Sequence, residues 1–259
     1  MNTPILKING LTMDFGGIRA LNKLNMNIYG REIAALIGPN GAGKTTFFNC
    51  ITGIYTPTKG EILLLSQKSG KEIALQGMKP NHITIKGLAR TFQNIRLFSK
   101  MTVLENVMIG RHCRTKAFFL GAIFRPQSVK QEEEEILEMS YHLLEKVGLA
   151  EFANEFAANL PYGAQRRLEI ARALATEPLL LLLDEPAAGM NPQETEELNK
   201  LIKEIADDGL AVLLIEHDMK LVMNISDRIF VMDYGSKIAE GTPEEIRNNP
   251  DVIKAYLGE

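Results

Sequence analysis

Three stretches of the chain are apolar without interruption at the length of a single strand: Ile33 to Ile37, Leu179 to Leu183 and Leu210 to Ile215. Unbroken runs of this kind signal strands covered on both faces, as in a parallel sheet. A helical stretch from Gln193 to Asp207 separates the last two runs, and strand, helix, strand predicts a parallel crossover. Nearer the start, Ile5 to Leu11 and Leu21 to Ile28 alternate or cluster apolar residues, with turn signals at Phe15-Gly16-Gly17 and Tyr29-Gly30. They predict antiparallel strands, and further strands are predicted at Glu61 to Leu65 and Ala89 to Phe92.

The middle of the chain has a different period. Ile136, Met139, Leu143, Leu144 and Val147 recur at helical spacing, which predicts a long amphipathic helix from a capping box at Ser128-Val129-Lys130-Gln131 to Gly148. The run Glu132 to Glu135 reads as a solvated first turn favoured by the helix dipole. A second helix is predicted from Tyr162 to Thr176, after Pro161. The tail reads as a closing hairpin, Arg228 to Asp233 and Ser236 to Gly241, followed by two short helices. The fold expected is α/β: a nucleotide-binding core over 1–93 and 177–259, opening with antiparallel strands, interrupted by a helical subdomain over 94–176.

Composition narrows the function classes. With 259 residues, 45% of them hydrophobic, the chain has the material for a sizeable core. A net charge of -3 argues against a general polyanion binder, so no nucleic-acid partner is expected and any phosphate affinity must be local. Cys50 and Cys113 show neither a pairing pattern nor metal-ligand spacing, and read as packed thiols of a reducing compartment. Met1-Asn2-Thr3-Pro4 does not begin a signal peptide, and the apolar runs fall well short of the roughly 18 residues of a membrane helix. A cytoplasmic protein is expected, with any membrane contact indirect.

Local phosphate chemistry is written at Gly38-Pro39-Asn40-Gly41-Ala42-Gly43-Lys44-Thr45, a G-x-x-x-x-G-K-[ST] pattern after one apolar run and before a helical stretch from Thr45 to Thr52. The glycines let successive backbone N–H groups curl around phosphate oxygens, Lys44 brings a cation, and the Thr45 hydroxyl suits Mg2+. Leu179 to Leu183 runs directly into Asp184-Glu185, carboxylates at the strand end where open α/β sheets place their ligands. Asp184 is expected to hold Mg2+ opposite Thr45, and Glu185 to polarise an attacking water. In isolation an Asp-Glu pair at a strand end is more often a solvated turn; after a P-loop the catalytic reading prevails. His217 follows the next apolar run in the same position and is read as bonding the γ-phosphate and orienting water, although a lone His is more often structural. Gln93 is read as a further Mg2+ or water ligand, a weak signal taken alone.

Taken in order, Gly38 to Thr45, Gln93, the segment Leu160-Pro161-Tyr162-Gly163-Ala164-Gln165, Leu179 to Glu185 and His217 resemble the Walker A, Q-loop, signature, Walker B and H-loop of an ABC-type ATPase subunit, over essentially the whole chain. Arg90-Thr91-Phe92-Gln93, Met101 to Asn106, Asp184 to Pro192 and Asn249 to Leu257 are similar to the LivG type, the ATP-binding subunits of branched-chain amino-acid importers. The resemblance implies a P-loop NTPase core of ABC type, with ATP and Mg2+ as cofactors. It also implies a second ABC ATPase subunit, identical or paralogous, with each ATP held between one P-loop and the other subunit's signature helix. Membrane permease subunits would be direct partners and a substrate-binding protein an indirect one, which places the chain peripherally on the cytoplasmic face of the plasma membrane. Phe15 aligns with the aromatic that stacks on adenine, Ala20 would line that pocket, and Thr46 extends the phosphate loop.

Departures from the pattern are equally specific. The family signature is commonly Leu-Ser-Gly-Gly-Gln, and this chain departs from it at Pro161, Tyr162 and Ala164. The serine hydroxyl that would touch the opposite γ-phosphate is absent, so donors are expected from the N–H groups of Gly163 and Ala164, and a weaker trans contact follows. Asn191 stands where the D-loop has Asp. The apolar stretch Ala117 to Phe124 reads as a segment packed on the helical insert or as a contact with membrane subunits. Two other functions compete: a soluble ABC ATPase of DNA repair or translation, which would carry tandem cassettes, a coiled-coil arm or a basic surface, and a P-loop kinase, for which the signature segment has no use.

Overall fold

The computed structural model describes residues 3–66, 70–115 and 127–257. Two compact units emerge, one of Met1–Arg90 with Leu179–Glu259, the other of Thr91–Pro178. All described strands lie in the first. They are β1 (Leu6–Phe15), β2 (Ile18–Ile28), β3 (Ile33–Ile37), β4 (Lys59–Leu65), β5 (Glu72–Ala74), β6 (Leu88–Arg90), β7 (Leu180–Asp184), β8 (Ala211–Ile215), β9 (Arg228–Asp233) and β10 (Ser236–Gly241). The helices are α1 (Lys44–Ile51), α2 (Pro80–Lys86), α3 (Val103–Arg111), α4 (Gln127–Lys146), α5 (Tyr162–Leu174), α6 (Pro192–Asp207), α7 (Met219–Ile225), α8 (Pro243–Arg247) and α9 (Pro250–Leu257).

The first unit holds two sheets. One is antiparallel in the order β2-β1-β4-β5; the other runs β10-β9-β3-β8-β7-β6 and is parallel from β9 to β6. Every residue of β3, β7 and β8 is buried, as expected of strands with helices or a second sheet over both faces. Register is direct: Leu36 pairs with Ile215, and Leu182 pairs with Leu213 on one side and Arg90 on the other. Phe47, Phe48 and Ile51 of α1 are fully buried in one core with Leu6, Ile28 and Ile62 of the antiparallel sheet and Leu36, Leu182 and Leu213 of the parallel one. Each such side chain contributes about 1.5–3 kcal/mol by leaving water. The start of α1, which carries Lys44 and Thr45, is thereby anchored against both sheets.

The second unit is helical. A capping box starts α3, with Thr102 Oγ1 accepting from the Glu105 N–H at 3.1 Å and the Thr102 N–H donating to Glu105 Oε2 at 2.7 Å. α3 packs against α4 and α5. Gly110 of α3 lies so close to α5 that a Cβ there would stand 2.3 Å from the Arg172 carbonyl oxygen.

Several boundaries differ from the sequence expectation for local reasons. The long helix runs over Gln127–Lys146, so Ser128 stands inside it rather than just before it. β6 stops at Arg90, where pairing with β7 ends, leaving Phe92 outside the strand. α5 starts at Tyr162 as expected, with Pro161 as its N-cap, but it closes at Leu174 rather than at Thr176. β5, α2, α3 and α7 carry too few periodic residues to have been predicted, although Thr102-x-x-Glu105 is a start signal. Ala117 to Phe124 falls outside the described residues.

Candidate functional site

The phosphate loop spans the turn from β3 to α1, and its shape depends on what surrounds it. A Cβ on Gly38 would sit 2.1 Å from the Met232 carbonyl oxygen of β9, and one on Gly43 would sit 2.7 Å from the Ala20 carbonyl oxygen of β2. Both positions have φ in the left-handed region, +151° and +100°, so glycine is required twice over. The Gly235 N–H donates to the Ala42 carbonyl at 3.0 Å, binding the loop to the β9–β10 hairpin. Asn40 and Gly41 are exposed, Pro39 is half-buried and Ala42 is buried.

Gly43 caps α1 without a side-chain partner, so the N–H groups of the first turn face outward at the positive end of the helix dipole. This is the geometry of an anion site. Lys44 is buried, and its Nζ donates to the carbonyl oxygens of Gly38 at 2.7 Å and Pro39 at 2.9 Å, folding the ammonium back over the loop. Burial lowers its pKa, and the charge of Glu185 opposes that shift. Thr45 is exposed on the first turn, with Thr46 half-buried beside it.

β7 and β8 deliver the carboxylates and the histidine. Asp184, 5% exposed, ends β7, and its Oδ2 accepts from Arg90 Nη2 at 2.6 Å. Glu185 follows with φ +48°, a backbone state that disfavours a side-chain-bearing residue and occurs where surroundings over-determine it. Its N–H donates to the Ile215 carbonyl at 2.9 Å, which holds the turn beside β8. His217 Nε2 donates to Glu185 Oε1 at 2.9 Å. Behind both lies Glu216, 4% exposed, whose Oε1 accepts from the Ala187 N–H at 2.8 Å and whose Oε2 accepts from the His217 N–H at 3.1 Å. Burial pushes the Glu216 carboxyl up, those N–H groups oppose the shift, and the charge of Glu185 adds to it.

Thr45 and Asp184 offer a hydroxyl and a carboxylate oxygen, hard donors of the kind Mg2+ takes. Among the described residues there is no group of three His, Cys, Asp or Glu placed to cage a metal. A cation here therefore fits only with phosphate oxygens and water completing its shell, which is how Mg2+ is usually held. Phe15 ends β1, is 41% exposed, and stands edge-on to the Tyr55 ring at 5.2 Å between centroids. An exposed ring supported from behind is a stacking platform. Ala20 lies half-buried on β2, its carbonyl against the phosphate loop.

Gln93 and the segment 160–165 belong to the second unit. Gly163 and Ala164 are buried in the first turn of α5, Tyr162 is 44% exposed, and Gln165 Nε2 donates to the Leu160 carbonyl at 2.9 Å. Arg166 and Glu169 form a buried pair on α5 at 2.9 Å. Arg166 donates to the carbonyls of Phe92 at 2.6 Å and Gln93 at 2.8 Å, while Glu169 Oε1 accepts from the N–H groups of Phe92 at 3.4 Å and Arg96 at 3.3 Å. The segment carrying Gln93 is thus tied to the helix that follows Pro161. Asn191, in the first unit, is the N-cap of α6: its Oδ1 accepts from the Glu194 N–H at 2.9 Å and its N–H donates to Glu194 Oε2 at 2.9 Å.

Sequence reasoning passed over Arg90, Glu216, Arg166 and Glu169 as functional candidates. Each is a charged residue in the sequence, and a charge by itself does not say what it meets in the fold.

Comparison with known proteins agrees with this geometry. Residues 21–188 match the family model described as ABC transporter, and residues 236–259 match the model described as branched-chain amino acid ATP-binding cassette transporter. The chain is 52% identical, over all of both chains, to the high-affinity branched-chain amino acid transport ATP-binding protein LivG of Escherichia coli strain K12. Among solved structures, a nucleotide-free ATP-binding cassette from an ABC transporter is similar at a TM-score of 0.83 and 32% identity, covering 99% of this chain and 100% of that one. A dimeric ATP-binding cassette in a post-hydrolysis state, bound to ADP and Pi, is similar at 0.74 and 27% identity, covering 92% of this chain and 98% of that one.

Proposed function

This chain belongs to the ABC transporter family, and from that membership we propose that it is the ATP-binding, ATP-hydrolysing subunit of an importer of branched-chain amino acids. The observation that carries the catalytic part is the pairing of Glu185 and His217 at 2.9 Å on the ends of adjacent parallel strands. Lys44 exchanges its loop carbonyls for the β- and γ-phosphates, and the free N–H groups of α1 take the remaining oxygens. Thr45 and Asp184 would hold Mg2+, which would supply neutralisation of phosphate charge, and the family pattern assigns Gln93 a contribution as a further ligand. Glu185 accepts the proton of a water whose oxygen attacks the γ-phosphorus, the bond from that phosphorus to the bridging oxygen breaks, and ADP leaves with that oxygen's electron pair. His217 orients Glu185 and senses the γ-phosphate. Phe15 stacks on the adenine.

The family reading extends to partners. A second cassette closes over the nucleotide through residues 161–165, Asn191 faces that seam, and membrane permease subunits receive the motion. The chain then sits peripherally on the cytoplasmic face of the membrane; no described helix is long and apolar enough to cross one. The domain boundaries that go with this reading are a core of 1–93 and 177–259 and a helical subdomain of 94–176. Glu185→Gln tests the proposal: ATP binding is expected to persist while phosphate release falls by roughly 10²–10⁴-fold, the usual weight of a general base. Phosphate transfer to a small acceptor that survives in this variant would identify a kinase instead.

A further inference from the structure

We propose that Arg90 is a positioning residue for the metal carboxylate: it holds Asp184 by one oxygen, ties it to α1, and so presents the other oxygen to the cation. Its Nη2 donates to Asp184 Oδ2 at 2.6 Å, and its Nη1 donates to Asn49 Oδ1 at 2.8 Å and Thr52 Oγ1 at 3.2 Å. The guanidinium also lies over the Phe48 ring, its Cζ 5.5 Å from the centroid. Both side chains of the ion pair are 7% exposed, so neither swings freely into water. A planar guanidinium directs its N–H groups along fixed lines, which lets one side chain set the geometry of several acceptors; an ammonium does not.

The anchors are the elements that build the nucleotide site. Asn49 and Thr52 stand on and just after α1, whose first turn carries Lys44 and Thr45. Asp184 ends β7, and Arg90 ends β6, paired in parallel with Leu182. Arg90 therefore fixes the separation between the phosphate-binding helix and the carboxylate that must share one ion with it. With Oδ2 engaged, Oδ1 is the oxygen left to ligate. Arg90 acts in this proposal through Asp184 and α1, as a positioning residue. The inference rests on the proposed assignment of Asp184 to Mg2+, and the experiment separates the two.

Mn2+ affinity of the complex with a non-hydrolysable ATP analogue, read by electron paramagnetic resonance, is compared with analogue affinity in chelator for the wild type, Arg90→Lys, Asn49→Ala and Asp184→Asn. Losing a residue that orients a metal ligand weakens metal binding about 10- to 100-fold, so Arg90→Lys is expected to lose that much Mn2+ affinity, and Asn49→Ala a smaller part, with metal-free analogue affinity held within about twofold. Equal losses with and without Mn2+, or unchanged Mn2+ affinity in both variants, overturn the proposal. If Asp184→Asn leaves Mn2+ binding intact, the assignment of Asp184 has failed first; if Asp184→Asn abolishes it while the others do nothing, only the role of Arg90 falls. Should Arg90→Lys not fold, Asn49→Ala decides, because it keeps the ion pair.

Discussion

Lys44 meets two backbone carbonyls before any phosphate reaches it, in a buried position that governs its titration. Burial lowers its pKa and Glu185 only partly restores it, so the ammonium is present below the lowered value and lost as pH rises through it. Metal-free ATP affinity is therefore expected to decline at a lower pH than an exposed lysine would impose, measurable by binding titrations across the alkaline range. Glu216 has the opposite arithmetic. Its folded pKa lies above its unfolded one, so the folded state holds the extra proton, and stability falls as pH rises from the ordinary glutamate range through the raised value. Glu216→Gln removes that slope but turns an NH2 toward the N–H of Ala187 or His217. Such an unmatched buried donor costs about 1–3 kcal/mol, and hydrolysis is expected to fall while ATP binding is kept. At this scale the sequence already distinguished Cys50 as a packed thiol: burial pushes it up to about 11, out of reach of nucleophilic chemistry at neutral pH.

At the scale of elements, caps explain both successes and misses. At Thr102 and Thr242 the pattern [ST]-x-x-[EQ] stands just before a helix and makes the reciprocal bonds, whereas Ser128, which begins the same pattern, falls inside a helix that already includes Gln127. A four-residue pattern offers an N-terminus; the flanking backbone decides whether it is used. Asn191 shows the same principle inside the candidate site. As the N-cap of α6 it has a structural duty that a missing charge in the family pattern did not suggest. Asn191→Ala is expected to lose about 1 kcal/mol. Asn191→Asp keeps the cap and gains about 0.3–1 kcal/mol from the dipole at the helix start. Urea denaturation of both variants checks the pair.

For the whole molecule, the proposed site is half of a shared one. ATP binding is expected from the isolated chain, whereas hydrolysis is expected to rise faster than in proportion to protein concentration until the dimer saturates. Steady-state rates over a dilution series test this, and strictly proportional turnover would contradict it. Pro161 caps α5 without a side-chain bond, so Pro161→Ser is expected to restore a hydroxyl donor to the seam and strengthen ATP-dependent association, read by sedimentation. An unchanged association constant would remove the argument that this signature makes a weak trans contact.

What the sequence determined by itself was whatever depends on contiguous residues. The phosphate loop follows from glycines that permit its backbone, a lysine inside it and a helix start after it, and the buried strands follow from unbroken apolar runs. The tertiary structure alone decided which distant side chains meet. His217 reaches Glu185 across 32 positions, Arg166 reaches the Gln93 carbonyl across 73, and Arg90 reaches Asp184 across 94. Those contacts depend on strand order and register, which neighbouring residues do not encode locally, and on burial, which makes a charge that found no partner too costly to keep.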